Sequence, residues 1–324
     1  IRIVSQLIET KSDKHLWAET YDEKLNSLFA VQSDIAKKIA LAMESEISGD
    51  VERRINSWED YLKGLEFNDR SNRIDDLNKA QFFFDKAFQN DPKFAASLAR
   101  SASVDLLLYW YGFDFSQSRI NKAKSKIDKA TLIKADDPQV LRATGTYYYY
   151  GYRDYSNALI YYNKALELEP GNSAHTESIG YIYRRQGKIK ESLANHQRAM
   201  ELEPNDPSLF FQISLTYHHA REYNDAEEMI DRALQIVPDN QINLQRKFWY
   251  QFYKHRDLNQ LITELYDLRK RLGDTNYSMT NQIVLALILD RKYELALDEL
   301  DKVEDIFNIQ QDSYIPYDFI RGNI

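Results

Sequence analysis

The chain has no cysteine among its 324 residues, which removes disulfides, thiolate catalysis and Cys-based zinc sites together. It has little glycine and proline, 10 and 7 residues, few for a fold built on tight turns and natural for helices. It lacks a basic excess: 42 Lys and Arg stand against 50 Asp and Glu, a net charge of −8. A surface made for phosphates carries the opposite balance, so no nucleic-acid partner is expected. Long apolar runs are missing. The longest, Ile283 to Leu289, is seven residues, whereas a membrane-spanning helix needs about 20, so no membrane span is expected. There is no glycine-rich phosphate loop, GxSxG elbow or HExxH pair, and no catalytic residue or cofactor follows. No metal site is expected either. His218 and His219 are adjacent, about 100° apart on a helix, which is poor geometry for sharing one ion. The absence of cysteine fits the cytoplasm and the periplasm alike, so the compartment stays open.

What is present is a repeat. Ala165, Ala199 and Ala233 are spaced 34 and 34 residues apart, and Pro170, Pro204 and Pro238 keep the same step. Self-similarity at this period marks stacked helix–turn–helix units, each burying its apolar face against the next. The clearest unit is Gly180-x11-Ser192-x3-His196-x2-Ala199-x4-Pro204, followed by Ser214-x11-Ala226-x3-Ile230-x2-Ala233-x4-Pro238. The preceding one, Gly145-x12-Ala158-x3-Tyr162-x2-Ala165-x4-Pro170, has one extra residue. Small residues on both helices allow close approach, and the larger residue between them fills the contact. His196 is therefore expected in a helix–helix contact. The proline ends the second helix, because the residue before it is pushed out of helical dihedrals.

This pattern resembles the tetratricopeptide repeat family over residues 58–324. Ala80, Phe84, Ala87 and Pro92 fit a unit whose first helix holds Gly64 and Phe67. Ala123, Ile127 and Ala130 fit a looser one ending at Pro138. Leu261, Leu265, Leu268 and then Ala296, Leu300, Val303 keep the spacing beyond Pro238. That makes seven units, with Tyr314 to Ile324 expected as the first helix of a truncated eighth. The fold class implied is mostly α, a right-handed α-solenoid of about seven helix pairs with a short N-terminal β-hairpin plus helix.

The hairpin is read from Ile1 to Tyr21, where two alternating runs flank Lys11-Ser12-Asp13-Lys14. A helix is expected from Leu28 to Ile47, with Gly49-Asp50 as its stop and 51–57 as a connector. The order Ile3-x3-Leu7-Ile8, Thr10, Lys14-His15-Leu16-Trp17-Ala18-Glu19, Tyr21, then Leu28-Phe29-Ala30-x-Gln32-x2-Ile35-Ala36 resembles the end of a TolB amino-terminal-like domain. Residues 1–50 are thus expected to be a C-terminal remnant of such an α/β domain. The resemblance implies a larger bacterial protein. In that company, tetratricopeptide arrays accompany adenylyl cyclases or winged-helix regulators with the output domain upstream. The chain opens on Ile1 inside an apolar run, so it reads as an internal piece, and a membrane anchor further upstream is compatible with it.

Function follows from the repeat. The expected role is a non-catalytic scaffold binding a protein or peptide segment. The alternative is the regulatory region of an adenylyl cyclase-type enzyme or of a transcriptional regulator. By resemblance, the first helix of each pair lines the groove. The implied positions are Arg142, Thr146, Tyr149 and Tyr150; Glu177, Tyr181, Arg184 and Arg185; and Phe211, Leu215, His218 and His219. Some family members clamp a terminal carboxylate there. Glu177 and Phe211 stand where such a clamp has a cation, so chaperone-tail binding is not expected. The run Tyr147-Tyr148-Tyr149-Tyr150 cannot be core in every direction of a helix; two packed and two surface tyrosines are expected. Arg119 to Lys129, with five basic residues and one acid, is expected to be a solvated outer face. Self-association through the cut ends is a further expectation.

Overall fold

The computed structural model describes residues 2–9, 14–22, 49–70, 73–273, 277–302, 309–310 and 313–314. Among these, fourteen helices carry the chain from Gly49 to Asp301. They fall into two compact units, residues 1–153 and 154–324.

The first unit contains two paired strands, β1 (Arg2–Glu9) and β2 (Lys14–Asp22), antiparallel with a register shift between Leu7 and Ile8. The expected helix at 28–47 lies outside the described residues. Helix α1 runs Gly49–Arg70, so Gly49-Asp50 opens a helix instead of stopping one, and 51–57 belongs to its first turns. Then follow α2 (Ile74–Asn90), α3 (Ala95–Trp110), α4 (Gln117–Ile133) and α5 (Pro138–Thr146). One core joins Tyr61, Leu77, Ala80, Phe84, Ala87, Val104 and Leu108. The next joins Ala99, Ala102, Ala123, Ile127, Ala130, Val140 and Ala143. Pro138 was expected to end α4 but occupies the first turn of α5, capped by Asp137, whose carboxylate accepts from the Gln139 N–H. A proline at the start of a helix forfeits no hydrogen bond.

The second unit holds α6 (Tyr155–Leu168), α7 (Ser173–Arg185), α8 (Ile189–Leu202), α9 (Pro207–Ala220), α10 (Tyr223–Ile236), α11 (Gln241–His255), α12 (Leu258–Leu272), α13 (Tyr277–Leu289) and α14 (Tyr293–Asp301). Here the prolines behave as the spacing predicts: α6, α8 and α10 end two residues before Pro170, Pro204 and Pro238. Asn172, Asp206 and Asn240 cap α7, α9 and α11 through their side chains. Each supplies an acceptor to a backbone N–H that the helix cannot satisfy. The repeat alanines Ala165, Ala199, Ala226 and Ala233 are fully buried. Leu261, Leu265, Leu268, Ala296 and Leu300 continue the core, and Val303 lies outside the described residues. Ile309–Gln310 (β3) pairs with Ser313–Tyr314 (β4). Tyr314 lies in β4, and the rest of the expected first helix of an eighth repeat, 315–324, lies outside the described residues.

The small-to-large contact predicted from spacing occurs in both units. A methyl added to Gly64 would lie 2.6 Å from the Phe84 ring, and one added to Gly180 would lie 2.6 Å from His196 Nε2. Each glycine admits a ring that any side chain would push away. His196 is fully buried, with Nδ1 3.3 Å from Thr216 Oγ1. Burial, then Arg184, pushes its pKa down to about 3, so it packs as a neutral ring.

Candidate partner-binding surface

In the first unit the implied groove positions lie on α5 and the turn after it. The thirteen residues from Gly145 to Ala158, against twelve from Gly180 to Ser192, are accommodated within a helix. Tyr147–Gly151 runs as a π-turn, the way a helix takes in one additional residue. Tyr149 is buried, and Tyr147, Tyr148 and Tyr150 are half-buried, so one tyrosine is core and three are partly open. Tyr150 stacks on Trp110 of α3 at 4.3 Å, and the Arg153 guanidinium lies 3.9 Å from the same indole. Arg142 is half-buried, and Thr146 donates to the Arg142 carbonyl at 3.0 Å, which turns its hydroxyl toward its own helix.

In the second unit the positions fall into groupings on α7 and α9. Glu177 accepts from the Tyr181 hydroxyl, and the Arg184 guanidinium sits 5.5 Å from the Tyr181 ring. Arg184 also donates to the Gln212 carbonyl at 2.9 Å and to Gln212 Oε1 at 3.0 Å. It is a strut between α7 and α9 as well as a surface cation. Arg185, Phe211 and Leu215 are half-buried, and His219 is exposed. His218 joins an aromatic cluster, with Tyr223, Tyr250 and Tyr253 at 5.8, 5.6 and 5.3 Å. Burial, then Arg246 and His219, pushes its pKa down to about 4, so it too is neutral near pH 7.

Sequence reasoning missed the next first helix. Arg246, Tyr250 and Tyr253 on α11 stand 35 residues after Phe211, Leu215 and His218. The 35-residue step from Ala233 to Leu268 was the available signal.

The basic run on α4 is only partly a solvated face. Arg119 donates to Asp105 at 2.7 Å and to Asp114 at 2.9 Å, and Lys126 lies 2.8 Å from the other Asp105 oxygen. Asp105 is 1% exposed. A buried carboxylate needs paired cations, and these two point inward to supply them. Among the described residues no group of three His, Asp or Glu is placed to hold a metal ion. Nor is any described helix long and apolar enough to cross a membrane.

Residues 180–219 match the family described as TPR repeat. The fold is shared with solved structures. One is PilW, a widely conserved type IV pilus biogenesis factor: 17% identity, TM-score 0.53, over 71% of this chain and 98% of that one. Another is a tetratricopeptide repeat protein from Parabacteroides merdae ATCC 43184, with 13% identity and TM-score 0.51 over 76% of this chain and 91% of that one. At such identities the likeness is one of fold. A sequence relative is "Putative adenylate cyclase 3" of Rhizobium meliloti (strain 1021), 30% identical over 123 residues, or 35% of this chain and 21% of the relative. The chain thus spans about a fifth of that protein.

Proposed function

We propose that the chain is an interaction scaffold that binds an extended peptide segment along the first helices of its pairs. The observation that carries this is the chemistry of α7, α9 and α11. At the repeat step they present Tyr181, Leu215 and Tyr250, then Arg184, His218 and Tyr253, then Arg185, His219 and Lys254. Most of these are partly open, unlike the buried alanines and large apolar residues of the second helices. Mixed aromatic and cationic side chains on regular helices suit an extended ligand. A photo-crosslinking residue at Leu215 or His219 should capture a partner in cells, and one at Leu202 or Ile236, exposed on second helices, should not. Equal capture from both faces would refute the reading.

The local likeness to a cyclase-type relative favours a second reading. In it the scaffold is the regulatory region of a larger bacterial signalling protein, and β1 and β2 close a TolB amino-terminal-like domain. The right-handed stacking of the family belongs to the same proposal. Cyclic AMP synthesis by the whole gene product, compared with and without substitutions at Leu215 and His219, tests it.

A further inference from the structure

We propose that Arg246 is the point on this surface that selects a carboxylate in the bound peptide, next to an aromatic or aliphatic side chain. This rests on the peptide-binding reading and deepens it. Three cations stand on α11 at 246, 247 and 254. Two are already neutralised by acids of α10: Lys247 pairs with Asp231 at 2.6 Å, and Lys254 with Glu227 at 2.7 Å. Arg246 is half-buried and has no carboxylate within ion-pair distance among the described residues. Its guanidinium lies 5.9 Å from the Phe211 ring on α9.

The surroundings of Arg246 are aromatic. Its charge is felt by His218, Tyr250 and Tyr253, and all three are partly or fully buried. These groups are neutral near pH 7, so none offsets the guanidinium. A guanidinium beside low-dielectric rings and without a counter-ion gains more from an incoming carboxylate than a solvated one does. Its planar fork also favours a carboxylate held by two hydrogen bonds. Phe211 and Tyr253 offer the apolar contact for the ligand's neighbouring side chain. The chain as a whole carries −8 and repels acids at long range, so acid recognition needs a local cation of this kind.

The test is selection from a random peptide library displayed against the whole chain and against Arg246→Gln. The wild-type chain should enrich peptides with Asp or Glu beside an aromatic or aliphatic residue, and the variant should lose that preference. One selected peptide and its amide analogue, Glu replaced by Gln, are then titrated by fluorescence anisotropy. On the wild-type chain the amide should bind about tenfold more weakly. The variant should bind both equally, at the weaker value. Neutral or basic selected peptides would overturn the inference while leaving peptide binding intact. Failure to enrich any peptide on the wild-type chain would overturn both. If Arg246→Gln melts well below wild type, the amide comparison on the wild-type chain decides alone, and equal affinity there rejects the role of Arg246.

Discussion

The interiors around Asp105 in the first unit and around His196 in the second bury polar groups by different chemistry. In the first, Asp105 is a buried carboxylate held between Arg119 and Lys126. In the second, the corresponding interior of the 34-residue repeats uses a neutral imidazole, with Ser192 and Thr216 hydroxyls around His196. The first solution depends on charge and recurs in the second unit at Glu299, held by Arg269 and Lys302; the His196 solution depends on the absence of charge. A close helix contact and a ring filling it recur in both, with Phe84 against Gly64 and His196 against Gly180. The repeat therefore constrains volume tightly and leaves the polarity of the interior to each unit.

The largest effect should come from breaking the charged solution. Asp105→Ala leaves two cations facing an interior that held their counter-charge. Removing one partner of a buried pair costs about 3–5 kcal/mol, and Arg119 and Lys126, at 19% and 22% exposed, can reach water, so the lower end is expected. Chemical denaturation should show a loss of about 3 kcal/mol. A loss under about 1 kcal/mol would mean that Asp105 is dispensable.

The shared close contact comes next. Glycine to alanine within a helix ordinarily stabilises by about 1 kcal/mol. At Gly64 and Gly180 the added methyl meets a ring at 2.6 Å, and overpacking of that kind costs about 1–3 kcal/mol. Both variants should therefore melt lower than the wild type. His196→Ala in the Gly180→Ala background should recover part of the loss, a coupling that a double-mutant cycle reads directly. Independent, additive effects would place the contact elsewhere.

These contacts mark how far the sequence could be read. The spacing named Gly180, His196, Ala199 and their equivalents because close helix approach demands small residues at fixed steps. It also placed the ends of α6, α8 and α10, because proline acts locally. The start of α1, the role of Pro138 and the inward turn of Arg119 and Lys126 were not legible. Each depends on a residue distant in sequence or on competition between two local signals. The additional residue near Gly145 was visible as a count, but a count does not say whether a loop or a helix absorbs it. The surface positions came from resemblance alone. Arg246 was passed over because the repeat step had lengthened to 35 by α11.

Acid should separate the units. No histidine lies between residues 49 and 153, whereas the second unit has His175, His196, His218, His219 and His255. The His196 pKa is about 3 in the fold against 6.5 unfolded. Between those values the unfolded chain binds one more proton, so stability falls as pH drops below about 6.5 and is fully retained above it. At pH 5 the loss is about 2 kcal/mol from this group. Glu299 works in a separate window. Burial raises its pKa, but hydrogen bonds from Arg269, Lys302 and Tyr266 outweigh that and bring it to about 2; its contribution fades only from about 4.5 downward. Hydrogen exchange at pH 5 should therefore show lost protection in 173–202, with 74–110 unchanged. Equal loss in both segments would sink the comparison.

The smallest effect concerns the turn between paired helices. Gly112 and Gly187 adopt φ of 75° and 72° there, as glycine does readily, but Arg153, Arg221, Arg256 and Arg291 hold φ between 56° and 63°. A left-handed conformation costs a non-glycine residue about 1–2 kcal/mol. Arg153 has compensation in the first unit, since its guanidinium lies 3.9 Å from the Trp110 ring, a contact worth about 0.5–1 kcal/mol at an exposed site. Arg221 is exposed and makes no ring contact or ion pair among the described residues. Arg221→Gly should therefore stabilise by up to about 1 kcal/mol, reduced by the greater freedom glycine gives the unfolded chain. Arg153→Gly relieves the same backbone cost but gives up the stacked contact, so its melting temperature should stay within error of wild type. If Arg153→Gly gained as much as Arg221→Gly, the indole contact would contribute nothing to the first unit, and the left-handed arginines would be interchangeable along the chain.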